Sequence, residues 1–272
     1  MIRKQILLGL VLISLAFPKF AAAAAEKEIK FGFYADRVVV ATQTILFNDA
    51  LSKRISEIGN RIIKASGEPD MNYTFRIIND PTINAYSAAG GFIYVTTGLL
   101  DILESEDELA AVLGHEIAHV TNHHQINFVY SAHRKKVGGK FIGIFLGTAL
   151  AAVGGAYAAT TYSPSSPFYN QLVQQTAETG FKLGAAMGDA MAVSMIKGYG
   201  RKQELEADRF AIQYTHKAGY NPYGMVSVFK KLKSIKNRLK YKERVRTASF
   251  VNAEPGLEER IKHAEDLIPK LE

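Results

Sequence analysis

Residues 105–121 read Ser-Glu-Asp-Glu-Leu-Ala-Ala-Val-Leu-Gly-His-Glu-Ile-Ala-His-Val-Thr, and the fold class follows from them. Ser105 with Glu108 three residues on is a capping box. The hydroxyl accepts from a backbone N–H that the helix leaves orphaned, and the glutamate reaches back to another. Glu106, Asp107 and Glu108 also place negative charge at the positive end of the helix dipole. Leu109, Val112, Leu113, Ile117 and Val120 then recur at three- and four-residue steps. This spacing predicts a helix from Ser105 to about His124 with one face in a core and the histidines beside it.

Outward from this helix the chain reads as α+β, mainly helical. Residues 37–65 follow a helical period and predict one long helix ended by Gly67-Glu68-Pro69. Two β-type runs, 73–78 and 92–97, flank Asn84-Ala85-Tyr86 and Gly90-Gly91, which predicts a small antiparallel sheet with a hairpin-like turn. Downstream, a helix over about 200–217 stops at Gly219, and Asn221-Pro222 opens the next one with cap and N1 chemistry. A short amphipathic helix over 257–268 ends the pattern. With 272 residues, 47% of them hydrophobic, one catalytic domain over 26–272 is the expectation.

Residues 1–25 stand apart: Arg3 and Lys4 precede an apolar stretch from Ile6 to Phe17, and Ala21 to Ala25 offer small-residue cleavage sites. This is the pattern of a secretory signal peptide, so the protein is expected to be exported, and periplasmic or membrane-associated. Without Arg3, Lys4 and Lys19, the 33 basic residues become 30 against 26 acidic, a net charge of +4 instead of +7. That balance excludes a nucleic-acid partner and leaves open a peripheral contact with acidic lipid headgroups through the basic run 230–246. Residues 137–159 reach the length of a membrane span, but six glycines dilute them, so a buried or interfacial helix is the favoured reading. The absence of cysteine rules out disulfides, thiol nucleophiles and an N-terminal lipidated cysteine. Any metal must be held by nitrogen and oxygen.

His115-Glu116-Ile117-Ala118-His119 meets that requirement. Two imidazoles one turn apart can bind one Zn²⁺, and Glu116, about 100° around the helix, stands beside the metal's water and not on the metal. His123 drifts roughly 40° off the ligand face, which suits packing or hydrogen bonding at the helix end better than ligation. A third ligand is expected from Glu204-Leu205-Glu206-Ala207-Asp208: Glu204 and Asp208 share a helix face, so Glu204 can ligate while Asp208 accepts the free ring N–H of a ligating histidine. Glu206 points to the other side.

HExxH followed by a distant Glu-x-x-x-Asp, with Asn84-Ala85 and residues 90–100 upstream, resembles the gluzincin peptidases related to the CaaX prenyl protease and the heat-shock protease HtpX. Within that family the chain is most similar to periplasmic, soluble or peripheral members of outer-membrane quality control. The resemblance covers about residues 35–270. It implies one zinc per chain held by His115, His119 and Glu204, catalysis by Glu116, a supporting role for Asp208, and an edge strand of Phe92, Ile93, Tyr94 and Val95 on which an extended substrate pairs. Family members commonly carry His-Pro before the last helix, where this chain has Glu254-Pro255. Glu254 is either a cap on the zinc at rest or a surface loop residue. The function expected is endopeptidase cleavage of unfolded or misassembled envelope proteins. A zinc-containing chaperone or assembly factor and a membrane-integrated protease are the alternatives.

Overall fold

The computed structural model describes residues 39–68, 71–125, 199–239 and 256–271, together with 127 and, before 39, residues 28, 29, 32, 33 and 35–37. The expected signal peptide, the glycine-rich stretch 137–159 and Glu254 lie outside the described residues. Among the described residues, no helix is long and apolar enough to cross a membrane.

The single helix expected over 37–65 is two. Helical backbone reaches residue 42, and a separate helix α1 then spans Asp49–Ser66. The break has two causes. Asn48 caps α1 by accepting from the Leu51 N–H at 3.0 Å, and Ile45 forms a bridge with Ile78 of the sheet, fixed by Leu46 N–H donating to the Ile77 carbonyl at 2.9 Å. An extended pairing cannot be made by helical backbone, so the periodicity across it carries no helix. Gly67, at φ 86, closes α1 in the left-handed conformation.

Three strands follow: β1 Thr74–Ile78, β2 Ala85–Ala88 and β3 Phe92–Thr96, in the order β1-β3-β2. The expected small sheet is present with one pairing parallel, β1 with β3, and one antiparallel, β2 with β3. The second strand is the stretch beginning at the Asn84-Ala85 pair, and it turns into β3 through Ala89–Gly91, where Gly90 and Gly91 both have positive φ. The strand order corrects the expected substrate edge. Phe92, Ile93, Tyr94 and Val95 lie on the central strand, paired on both sides, so their backbone groups are already used. Tyr94 is also fully buried on the sheet face away from the main core: it stacks on Tyr86 at 4.8 Å and donates to Asp36 at 3.0 Å, beside the Arg76 guanidinium that Asp36 also accepts from. Residues 44–46 cover the β1 side. Among the described residues, the free edge is β2.

After a single turn α2 (Thr97–Leu100), helix α3 spans Glu106–Thr121 and is buried continuously from Glu108 to Val120. The Ser105 hydroxyl accepts from Glu108 N–H as expected, while Glu108 reaches one residue further back, to Glu104 N–H at 2.6 Å. Glu108 also accepts from Ser227 and Lys231 on α5, Tyr223–Leu239, so the cap docks a second helix. Helix α4, Arg201–Lys217, lies along α3, and a close approach is possible because both contribute small residues: a Cβ on Gly114 would sit 3.4 Å from the Ala211 carbonyl oxygen. Helix α6, Leu257–Leu267, presses Leu257, Arg260, Ile261 and Ala264 into the same core.

Gly91 tests the strand order. Its φ of 89 suits only glycine, and a Cβ there would collide with the Asn72 carbonyl oxygen at the start of β1. Gly91→Ala is expected to lower stability by at least about 2 kcal/mol, read as a shift in the urea unfolding midpoint. An unchanged midpoint would refute the packing of β1 against the β2–β3 turn.

Candidate metal centre

Helices α3 and α4 cross where the small residues are, and this brings Glu204 opposite the two histidines one turn apart. His115 Nε2 and His119 Nε2 face each other at 3.0 Å, Glu204 Oε2 lies 3.4 Å from the first, and Glu204 Oε1 lies 3.9 Å from the second. All three side chains are buried. Two imidazole nitrogens this close repel unless a proton or a cation lies between their lone pairs. Nitrogens each about 2.0–2.1 Å from one tetrahedral ion would stand about 3.3 Å apart, close to what is observed. Glu204 Oε2 supplies a second test, because it is buried with no hydrogen-bond partner. A buried carboxylate with one oxygen left without a hydrogen bond, set against two imidazole nitrogens, is a donor set for a metal ion, so His115, His119 and Glu204 fit the group expected of them.

The charge around this trio is balanced from beneath. His115 Nδ1 donates to Asp208 Oδ1 at 2.9 Å, and Asp208 in turn accepts two bonds from Arg260, at 2.8 Å from Nε and 2.6 Å from a terminal nitrogen. Arg260 has no solvent exposure; it lies over the Phe229 ring at 4.4 Å and sends its other terminal nitrogen to within 3.5 Å of Glu204 Oε2. Sequence reasoning gave Arg260 no role. Its signal was a charged residue on the face of α6 that otherwise carries Leu257, Ile261 and Ala264.

Electrostatics follow from burial and partners. Burial opposes charge on His115, but the neighbouring Asp208 and Glu204 carboxylates outweigh it and push the pKa up to about 9. Burial would raise both carboxyls as well. His115 and Arg260 nevertheless hold Glu204 down to about 2, and chiefly Arg260 does the same for Asp208. Burial drives His119 well below its usual value, so its imidazole is neutral, which is the ligating form.

Glu116 stands beside the trio and not within it, and its side chain reaches β2. Its Oε2 accepts from the Ser87 hydroxyl at 2.8 Å, and Ser87 accepts from Gln125 at 2.8 Å. Burial raises the Glu116 pKa above the carboxylate norm. Ser87 and Gln125 were also missed. Ser87 could have been found from the inward alternation of Ala85 and Ser87 on a strand, but Gln125 depends on how α3 ends. The helix stops at Thr121, three residues before the expected His124, and His123 adopts φ 52. That left-handed residue turns His124 and Gln125 back under the site, while His123 itself pairs with Glu28 at 2.9 Å. His124 Nδ1 lies 2.8 Å from His119 Nδ1, and its Nε2 lies 3.6 Å from Glu206. Tyr199 stacks on the His119 ring at 4.1 Å and donates its backbone N–H to Glu204 Oε1 at 2.9 Å.

Residues 49–268 match the model of peptidase family M48. A Vibrio cholerae protein named putative beta-barrel assembly-enhancing protease is 28% identical over 210 residues, 76% of this chain and 38% of its own. Metalloprotease YcaL of Escherichia coli K12 is 27% identical over 229 residues, 84% of this chain and 73% of its own. Mitochondrial metalloendopeptidase OMA1 of Schizosaccharomyces pombe is 38% identical over 113 residues, 41% of this chain and 31% of its own. The chain spans about two fifths of the length of the beta-barrel assembly-enhancing proteases it matches. Because the match starts at the first residue of α1 and ends just past α6, it encloses every helix that builds the cluster, and the chain belongs to peptidase family M48.

Proposed function

We propose that the protein is a zinc-dependent endopeptidase that cleaves extended segments of misfolded or misassembled envelope proteins. The observation that carries this reading is the His115–His119–Glu204 trio with Glu116 beside it and not within it. Two nitrogens and one carboxylate oxygen suit zinc, with a fourth position left for water or substrate. The client class is taken from relatives named for enhancing β-barrel assembly, and it agrees with the signal-peptide pattern of residues 1–25.

Zinc held by this trio supplies a Lewis acid for the scissile carbonyl and lowers the pKa of its water toward about 7. The chain supplies the rest. Glu116, its Oε2 fixed by Ser87, takes the proton of the attacking water and returns it to the leaving amine. A carboxylate whose pKa is raised by burial is closer to neutrality and better matched to that two-way transfer. Asp208 accepts the Nδ1 proton of His115 and so keeps its Nε2 lone pair aimed at the ligand position. The substrate is held on β2, the free edge, where backbone hydrogen bonds would add a strand beside Glu116.

Two outcomes test this. Glu116→Gln is expected to retain stoichiometric zinc while cleaving unfolded casein about 10²–10⁴-fold more slowly than wild type; equal rates for the two would sink the assignment. Arg260→Leu leaves Asp208 buried without its counter-charge and is expected to destabilise the metal-free protein by about 3–5 kcal/mol. The double variant with Asp208→Asn should recover part of that loss in urea unfolding. A single variant as stable as wild type would show that the ion pair is not what holds α6.

A further inference from the structure

The two histidines of the trio are supported differently. His115 has a carboxylate behind its Nδ1, whereas His119 has a third imidazole. Resting on the zinc reading above, we infer that His124, backed by Glu206, is a positioning residue that sets the tautomer and ring orientation of His119. It is the counterpart of what Asp208 and Arg260 do for His115.

The argument is one of proton placement. His119 Nε2 faces His115 Nε2 and Glu204, so that nitrogen must present a lone pair to bind a metal and the ring proton must sit on Nδ1. A buried N–H needs an acceptor. Among the described residues, the group within reach is His124 Nδ1, at 2.8 Å, with both rings buried and set edge to face at 68°. His124 Nδ1 can accept only when its own proton is on Nε2. That nitrogen faces Glu206 Oε2 at 3.6 Å, within ion-pair range, and the carboxylate favours a proton there. Glu206 is steadied by Arg209 one turn on, at 3.9 Å. The order of protons is therefore fixed from the half-exposed carboxylate inward: Glu206 draws the His124 proton to Nε2, His124 Nδ1 accepts from His119, and the His119 Nε2 lone pair faces the cluster. Without this chain, the neutral His119 can place its proton on Nε2, pointing it at the ligand position.

The arrangement depends on the left-handed turn at His123, because a helix continued through residue 124 would carry that ring away from His119. Tyr199, stacked on the His119 ring at 4.1 Å, helps to hold its plane.

Zinc affinity separates this role from simple packing. His124→Phe keeps ring volume and removes the acceptor, while His124→Asn places a side-chain oxygen near the Nδ1 position. The full chain is titrated with Zn²⁺ against a fluorescent chelator, and the melting temperature of each metal-free variant is recorded alongside. His124→Phe is expected to bind zinc about 10–100-fold more weakly, with His124→Asn recovering most of the loss. If His124→Phe fails to fold, Glu206→Ala takes its place, with a loss of several-fold expected. Zinc affinity within threefold of wild type in His124→Phe, or in Glu206→Ala where that variant is the one measured, would overturn the inference. So would equal losses in the Phe and Asn variants. A wild-type chain that binds no zinc would instead remove the reading on which the inference rests.

Discussion

The Asp208–Arg260 ion pair is the interaction on which the rest of the site depends, because neither partner has any exposure to solvent. Two charges taken out of water carry a desolvation penalty of several kcal/mol each, which only close, multiply hydrogen-bonded geometry offsets. The pair meets that condition with two short bonds, a third contact from Asp208 to His115 and an aromatic face against the guanidinium. The pair joins α4, α6 and α3 at one point. A shift of any of the three would strand a buried charge, so the geometry is held more tightly than apolar packing alone would hold it.

That constraint explains a division of labour among the helices. Helix α3 supplies the two histidines and Glu116, but their usefulness depends on how near α4 comes. Gly114, Ala118, Ala207 and Ala211 are all small, and at Gly114 even a methyl group would touch the opposing backbone. Small residues here set the interhelical distance, as large ones would in an ordinary core. Glu204 then needs no long reach, and its backbone partner Tyr199 fixes the carboxylate before any ion is considered.

Much of this was legible in the sequence, and the exceptions have physical causes. Local signals carry far: Ser105, Gly67, Gly219 and Asn221 mark their helix boundaries, and HExxH with Glu204 points to three residues that the fold brings together. The failures came where tertiary pairing or one backbone residue overrode the local pattern. The break at 43–48 exists because Ile45 has a strand to meet, which no periodicity records. Tyr94 was placed on an edge because strand order is invisible in a single strand, whereas its true neighbours come from β1 and β2. His123 at φ 52 ended α3 early and brought His124 and Gln125 inward, and a positive φ is uncommon for any residue but glycine, so the periodicity of the helix gives no notice of it. Arg260 had a signal, a charge on an apolar helix face, but its partner lies 52 residues away in sequence.

Strand β2 ties substrate and base together on the reading proposed above. Among the described residues its backbone is the unpaired edge of the sheet, while the side chain of Ser87 on the same strand holds Glu116 Oε2 and is itself held by Gln125. A peptide pairing with that edge would therefore stiffen the element that orients the proton carrier. A distorted or poorly paired segment would leave Ser87 less well placed. Selection for extended, unfolded chain then needs no side-chain pocket: it follows from making the edge that receives the backbone the same element that aligns the base.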